Sequence, residues 1–262
     1  MVDKAIILDI DKRGVATLTI NLPDKHNAFD EKLIAELATT FDEVGANSSV
    51  RVMVLASEGR SFSAGGDLDW MIRMGDYNRD ENIRDANALA SMLHKLNYLP
   101  VPTIARVQGA AMGGGAGLVC CCDIAIASSR ANFAFSEAKL GLIPATISPY
   151  VLQSIGAQAA RRYFLTAERF DAKRAYDLGM VSEVVDEAEL DNKINELLQI
   201  ILINSAEAVK AAKQMIFAVE GKPVTGEIMQ MTSESIADIR ASEEGKEGLS
   251  AFLEKRKPSW ID

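Results

Sequence analysis

Residues 52–56 read Val-Met-Val-Leu-Ala, five positions without a polar side chain. A strand with one wet face alternates apolar and polar residues; a short unbroken apolar run needs cover on both faces, as in a parallel sheet clothed by helices. Parallel strands in turn demand crossover connections. The chain supplies them: Leu33, Leu37, Phe41 and Val44 recur at helical spacing before this run, and a helical stretch at 80–99 follows it, ended by Pro100 and Pro102.

The remaining chain fits the same frame. Residues 5–10 and 15–20 are β-rich runs around Asp11-Lys12-Arg13-Gly14, which predicts a hairpin. Ala16, Leu18 and Ile20 alternate with Thr17 and Thr19, so one of its faces is expected to be buried. Residues 21–27 form a loop broken by Pro23, and the Ser/Gly-rich stretch 57–67 reads as a loop throughout. Strands are predicted at 103–107, 123–127 and around Phe133, with a glycine cluster at 109–115 and a buried helical segment at 116–122. After Ile143-Pro144 helical patterns dominate, at 149–155, 157–165, 172–178, 187–203, 206–219, 224–241 and 244–256, with 181–185 the main strand. The fold class is α/β, an alternating front followed by a helical back third, with no low-complexity linker between them.

Composition removes several classes of function. At 48% hydrophobic and 25% charged, the 262 residues match an ordinary globular protein. Lys and Arg number 28 against 37 Asp and Glu, a net charge of −9 that argues against coating nucleic acid. Cys120, Cys121 and Cys122 are adjacent with no other cysteine to pair with, and His26 and His94 are the only histidines, so neither a disulfide framework nor a metal-ligand spacing is present. Residues 1–10 carry Asp3, Lys4 and Asp9 and lack the apolar core of a signal peptide. No apolar run reaches the length of a membrane span. A soluble, cytoplasmic protein is expected.

Two loops carry the chemical signal. Gly113-Gly114-Gly115-Ala116-Gly117 follows a predicted strand and opens a helix, an arrangement that exposes backbone N–H groups. It fits neither the dinucleotide fingerprint, because Leu118 stands where the last glycine belongs, nor the P-loop, which needs Gly-Lys-Ser/Thr. The segment serves equally as a close-packed turn without a ligand. Phe62-Ser63-Ala64-Gly65-Gly66-Asp67 follows the apolar 52–56 run in the same way. Two such loops could aim two donors at one oxygen, an oxyanion hole for a thioester enolate. Glu137, in the otherwise apolar run Phe133-Ala134-Phe135-Ser136-Glu137, is the candidate proton carrier, since burial would raise its pKa toward working pH. An exposed or capping glutamate is the plainer reading of that residue alone.

Taken together, Pro23–Ala28, 61–68, 102–123, 136–144 and 248–257 resemble the crotonase superfamily of enoyl-CoA hydratases and isomerases. The resemblance implies a spiral of ββα units over about 1–200, a C-terminal helical trimerisation region over 201–262, an acyl-CoA substrate and no further cofactor. It puts the two oxyanion-hole donors on the N–H groups of Gly66 and Gly114, and the second of the family's two hydratase glutamates on Glu137. The first glutamate falls on Gly117, which can neither take nor give a proton. CoA is expected along Lys25, Ala28, Ala64 and Asp67, with Phe252 and Lys255 reaching the adenosine of a neighbouring subunit in a homotrimer or hexamer. Segments 63–71, 102–127, 140–151 and 160–185 look like bacterial methylglutaconyl-CoA and isohexenylglutaconyl-CoA hydratases of leucine and terpene breakdown, which also carry glycine at the first site. They imply hydration of a branched, carboxylated enoyl-CoA, with Arg73 or Arg84 as candidates to meet the distal carboxylate. A 3,2-enoyl-CoA isomerase and a CoA-binding member without turnover are the competing readings.

Overall fold

The computed structural model describes residues 4–261; Met1–Asp3 of the N-terminal stretch discussed above lie outside it. Strands β1 (Ile6–Ile10) and β2 (Val15–Ile20) pair antiparallel as the expected hairpin, and Ala16, Leu18 and Ile20 are buried. Asp30 caps α1 (Glu31–Ala46), its carboxylate accepting from Leu33 N–H, and Leu33, Leu37, Phe41 and Val44 form the buried stripe.

Three ββα turns then follow one another. The first is β3 (Val52–Ser57), β4 (Ser61–Ser63), α2 (Leu68–Gly75) and α3 (Arg79–Asn97). The second is β5 (Thr103–Val107), β6 (Ala110–Met112) and α4 (Gly114–Cys121). The third is β7 (Ile124–Ser128), β8 (Asn132–Ala134), a 3-10 turn Glu137–Leu140 and α5 (Ser148–Thr166). After β9 (Phe170–Asp171), α6 (Ala172–Asp177) and β10 (Glu183–Val185), the chain ends in α7 (Leu190–Leu202), α8 (Ala206–Val219), α9 (Gly226–Ala241) and α10 (Glu243–Glu254).

Each turn gives its first strand to one sheet and its second to another. The large sheet runs β1-β2-β3-β5-β7-β10 and the small one β4-β6-β8-β9. All pairings between successive turns are parallel. This is the spiral of ββα units that the resemblance implies.

The wholly apolar β3 is explained by the two cores it separates. Met53 and Leu55 point into the main core with Phe41, Leu96 and Phe62, whereas Val52 and Val54 face Leu190, Ile194 and Leu198 of α7. Burying each of these leucines and isoleucines contributes roughly 1.5–3 kcal/mol. Beyond the spiral, α8 is pinned to the core by Lys213, whose ammonium donates to the Val101 carbonyl at 3.1 Å and to Asp123 Oδ2 at 2.7 Å. Asp123 Oδ2 also accepts from the N–H and hydroxyl of Thr103. No helix among the described residues is long and apolar enough to cross a membrane.

Two expectations change. The 57–67 and 109–115 loops each contain a three-residue strand, β4 and β6, and α4 begins at Gly114 rather than at residue 116.

Candidate functional site

Strands β4, β6 and β8 are neighbours in the small sheet, and the segments after their ends converge. From β4 comes Ala64-Gly65-Gly66-Asp67. Phe29 N–H donates to the Gly65 carbonyl and Asp67 N–H to the Phe29 carbonyl, both at 2.7 Å. These two bonds bracket Gly66 in a parallel bridge with Phe29, so its own N–H turns to the opposite side. That N–H has no partner among the described residues. The loop is held from below by Asp67, whose Oδ1 accepts from the N–H groups of Asp69 and Trp70 and caps α2, while its Oδ2 accepts from Lys25 Nζ at 2.9 Å.

From β6 comes Gly113, which donates its N–H to the Ala134 carbonyl of β8 and leads into α4 with φ of 50°. The first amide of the helix, Gly114 N–H, is likewise unpaired among the described residues, as helix geometry dictates. The two loops touch: a Cβ on Gly65 would stand 2.9 Å from the Met112 carbonyl oxygen and 3.9 Å from Gly114 N. Phe29 supplies the floor. Its Cε2 would lie 2.5 Å from a Cβ on Gly114, so only glycine brings that amide to this place.

From β8 comes Glu137. It opens the 3-10 turn, and its carboxyl rests against the start of α4, with Oε1 3.0 Å from where a Cβ on Gly113 would be. Its Oε2 is buried with no hydrogen-bond partner. Burial pushes the carboxyl above its usual range, opposed only by its own backbone N–H. A desolvated carboxyl beside unpaired amides can move a proton while those amides hold negative charge on a carbonyl oxygen.

The other anticipated residues divide. Lys25, Ala28, Ala64 and Asp67 gather around the Gly66 loop: Ala28 N–H donates to the Lys25 carbonyl, and Ala64 N–H donates to the His26 carbonyl. The Asp67 carboxylate is already engaged as a helix cap and ion pair. Phe252, 81% exposed, and Lys255, in the left-handed conformation that ends α10, have no hydrogen bond or ion pair to that group. Arg73 of α2 is held by the Glu31 carboxylate, Nη2 to Oε2 at 2.6 Å. Arg84 of α3 is exposed and forms no ion pair among the described residues. The three cysteines are free thiols at the end of α4, and burial raises them, Cys120 to about 12.

Sequence reasoning missed the supporting residues. Trp70 packs its ring beneath the loop, Cε3 and Cζ3 at 3.6 Å from a Cβ on Gly66, and donates its indole N–H to Asp85 Oδ1 at 3.1 Å. Ile147 fills the space before Gly117, its Cγ2 2.3 Å from where a Cβ would be. A tryptophan three positions after the Asp67 cap was the one signal available for the first. Nothing local marked the second.

Comparison with known proteins bears on the family and the fold. The family model for enoyl-CoA hydratase/isomerase matches residues 11–262. A short-chain-enoyl-CoA hydratase of Clostridium acetobutylicum is 33% identical over 254 residues, 95% of each chain. The crystal structure of an enoyl-CoA hydratase from Shewanella pealeana superimposes with a TM-score of 0.95 at 44% identity, covering 98% of this chain and 96% of that one. An enoyl-CoA hydratase structure from Mycobacterium smegmatis gives 0.94 at 32% identity, covering 99% and 100%. With its spiral, its paired glycine loops and a match along nearly all its length, the chain belongs to the enoyl-CoA hydratase/isomerase family.

Proposed function

We propose that the protein adds water across the C2–C3 double bond of an enoyl-CoA, and that its substrate is branched and carboxylated, as in methylglutaconyl-CoA. The observation that carries the reaction is the buried, unpartnered Oε2 of Glu137 beside the start of α4. In this reading the thioester oxygen accepts from Gly66 N–H and Gly114 N–H. Glu137 takes a proton from water as the water oxygen bonds to C3, and the C2–C3 electron pair moves toward the carbonyl to give the enolate. The same carboxyl then returns its proton to C2. Hydrogen and oxygen balance as one added water, and one carboxyl serves twice because Gly117 offers none. CoA runs along Lys25, Ala28, Ala64 and Asp67, with Phe252 and Lys255 meeting the CoA of a neighbouring copy in a trimer or hexamer. Of the two candidate arginines, Arg73 is engaged by Glu31, which leaves Arg84 as our candidate guanidinium for a distal carboxylate.

One observation favours a second reading. A solitary base can carry a proton from the α- to the γ-carbon, which is 3,2-isomerisation, and among the described residues Gly117 faces Ile147 and Leu93 where Gly113 faces Glu137. Incubation with a panel of enoyl-CoAs that includes methylglutaconyl-CoA separates the readings by mass. A product one water heavier, formed fastest from the carboxylated substrate, is expected. An unchanged mass with a moved double bond favours the isomerase, and binding without any product favours a carrier. Glu137→Gln is expected to lower kcat by at least about 10²-fold; turnover like wild type overturns the assignment.

A further inference from the structure

Gly113 caps α4 and Gly117 lies in its first turn, joined by a hydrogen bond from Gly117 N–H to the Gly113 carbonyl at 3.0 Å. The cap has φ of 50° and ψ of −118°, and this bond closes the first turn of the helix over it. The Glu137 carboxyl lies against the first of them. Ile147 lies against the second: a Cβ on Gly117 would stand 2.3 Å from Ile147 Cγ2 and 3.0 Å from Ile147 Cβ, with Leu93 Cδ2 behind at 3.9 Å. Ile147 is only 1% exposed and immediately precedes α5, so its backbone is fixed by the helix that follows. Turning Cγ2 away would still leave Ile147 Cβ 3.0 Å from the added atom, so Ile147 itself would have to shift as well as change rotamer. Positions 117 and 147 therefore share a single volume.

We propose that Ile147 is the residue that restricts this site to one carboxylate. Its side chain holds the place into which a Cβ on residue 117 would project, in the helix turn that starts at the Gly113 cap against which Glu137 rests. The proposal rests on the reading of Glu137 as the proton carrier, and it separates into a packing test and a chemical test.

The packing test is a double-variant cycle read by thermal unfolding. Gly117→Ala lowers Tm by forcing a methyl against Ile147, and Ile147→Gly lowers it by opening a void. The combined variant is expected to lose less Tm than the sum of the two single losses, because the added methyl enters the opened space instead of clashing. Additive losses overturn the shared volume. The chemical test starts from Glu137→Gln and measures turnover of the enoyl-CoA that the wild type converts fastest. Adding Gly117→Glu together with Ile147→Gly is expected to raise kcat at least 10-fold over Glu137→Gln with Ile147→Gly, and to add an acid limb to its pH profile. No gain in a protein that remains folded overturns the proposal. Wild-type turnover by Glu137→Gln alone would instead fail the reading of Glu137, while the packing cycle stays decisive for Ile147.

Discussion

Glu137 sits where its neutral form is favoured, and this has an opposite consequence for catalysis and for stability. Its folded pKa is raised by burial above the ordinary 4.5. The folded state therefore binds this proton more tightly than the unfolded state does. The contribution to stability is greatest below the unfolded pKa and is lost as pH rises through the folded one. Glu137→Gln removes that loss, so its Tm is expected to exceed that of the wild type at pH 7–8. The two should converge as pH falls below about 4, and scanning calorimetry at both ends checks this. Turnover moves the other way. Activity that needs the ionised base should fall as pH drops through the raised pKa, so the acid limb of kcat should lie above the range of an ordinary glutamate. Glu137 was legible in the sequence as a lone acid in an apolar run. Ile147 was not, because 30 residues separate it from Gly117 and only the packed fold reveals that they compete for space.

Among the elements, the long ones were readable, as were the short β8 and β10, while three short strands were not. The stripe of α1, the hairpin β1–β2 and the apolar β3 followed from periodicity. The separate helical patterns at 149–155 and 157–165 match a real break in α5, where Gly156 adopts φ of 71° and ψ of 160°. Strands β4, β6 and β9 have two or three residues, too few to display alternation, and they exist because neighbouring strands offer them hydrogen bonds. The start of α4 was misjudged for a related reason. Glycine is a poor helix former, yet Phe29 and Ser63 press so closely on 114 and 115 that nothing larger fits. The attachment of α8 gives a sharper prediction. Lys213 is 7% exposed and Asp123 accepts three hydrogen bonds at one oxygen. Asp123→Ala would leave the ammonium with the Val101 carbonyl alone and orphan the Thr103 donors, and should cost about 1–3 kcal/mol in urea unfolding. Lys213→Met leaves Asp123 its two bonds to Thr103 and should cost less. The reverse order would show that the aspartate is held chiefly by Lys213.

For the molecule as a whole, the C-terminal helices leave apolar residues uncovered. Ile216 of α8, Met229 and Ile236 of α9, and Leu249, Phe252 and Leu253 of α10 are all exposed. Exposed apolar side chains on three helices that pack on one another suit an interaction face, in line with the proposed trimer or hexamer. Light scattering should give a mass three or six times the 28.4 kDa of one chain; a stable species of 28.4 kDa at micromolar concentration would overturn it. The alternating front and helical back were visible in the sequence because hydrophobic period reports layers. How the second strand of each turn leaves for a separate sheet was not, since three residues carry no record of their partners.

The three loops at the site spring from adjacent strands of one ladder, and this limits how such a chain can diversify. Side chains around the loops can be exchanged one at a time without disturbing the amides, which belong to the main chain. Insertion or deletion of a single residue between a strand and its loop is another matter, because the alternation of the strand turns every later position to the other face. Descendants of this chain should therefore explore new substrates by replacement and keep the strand-to-loop spacing fixed.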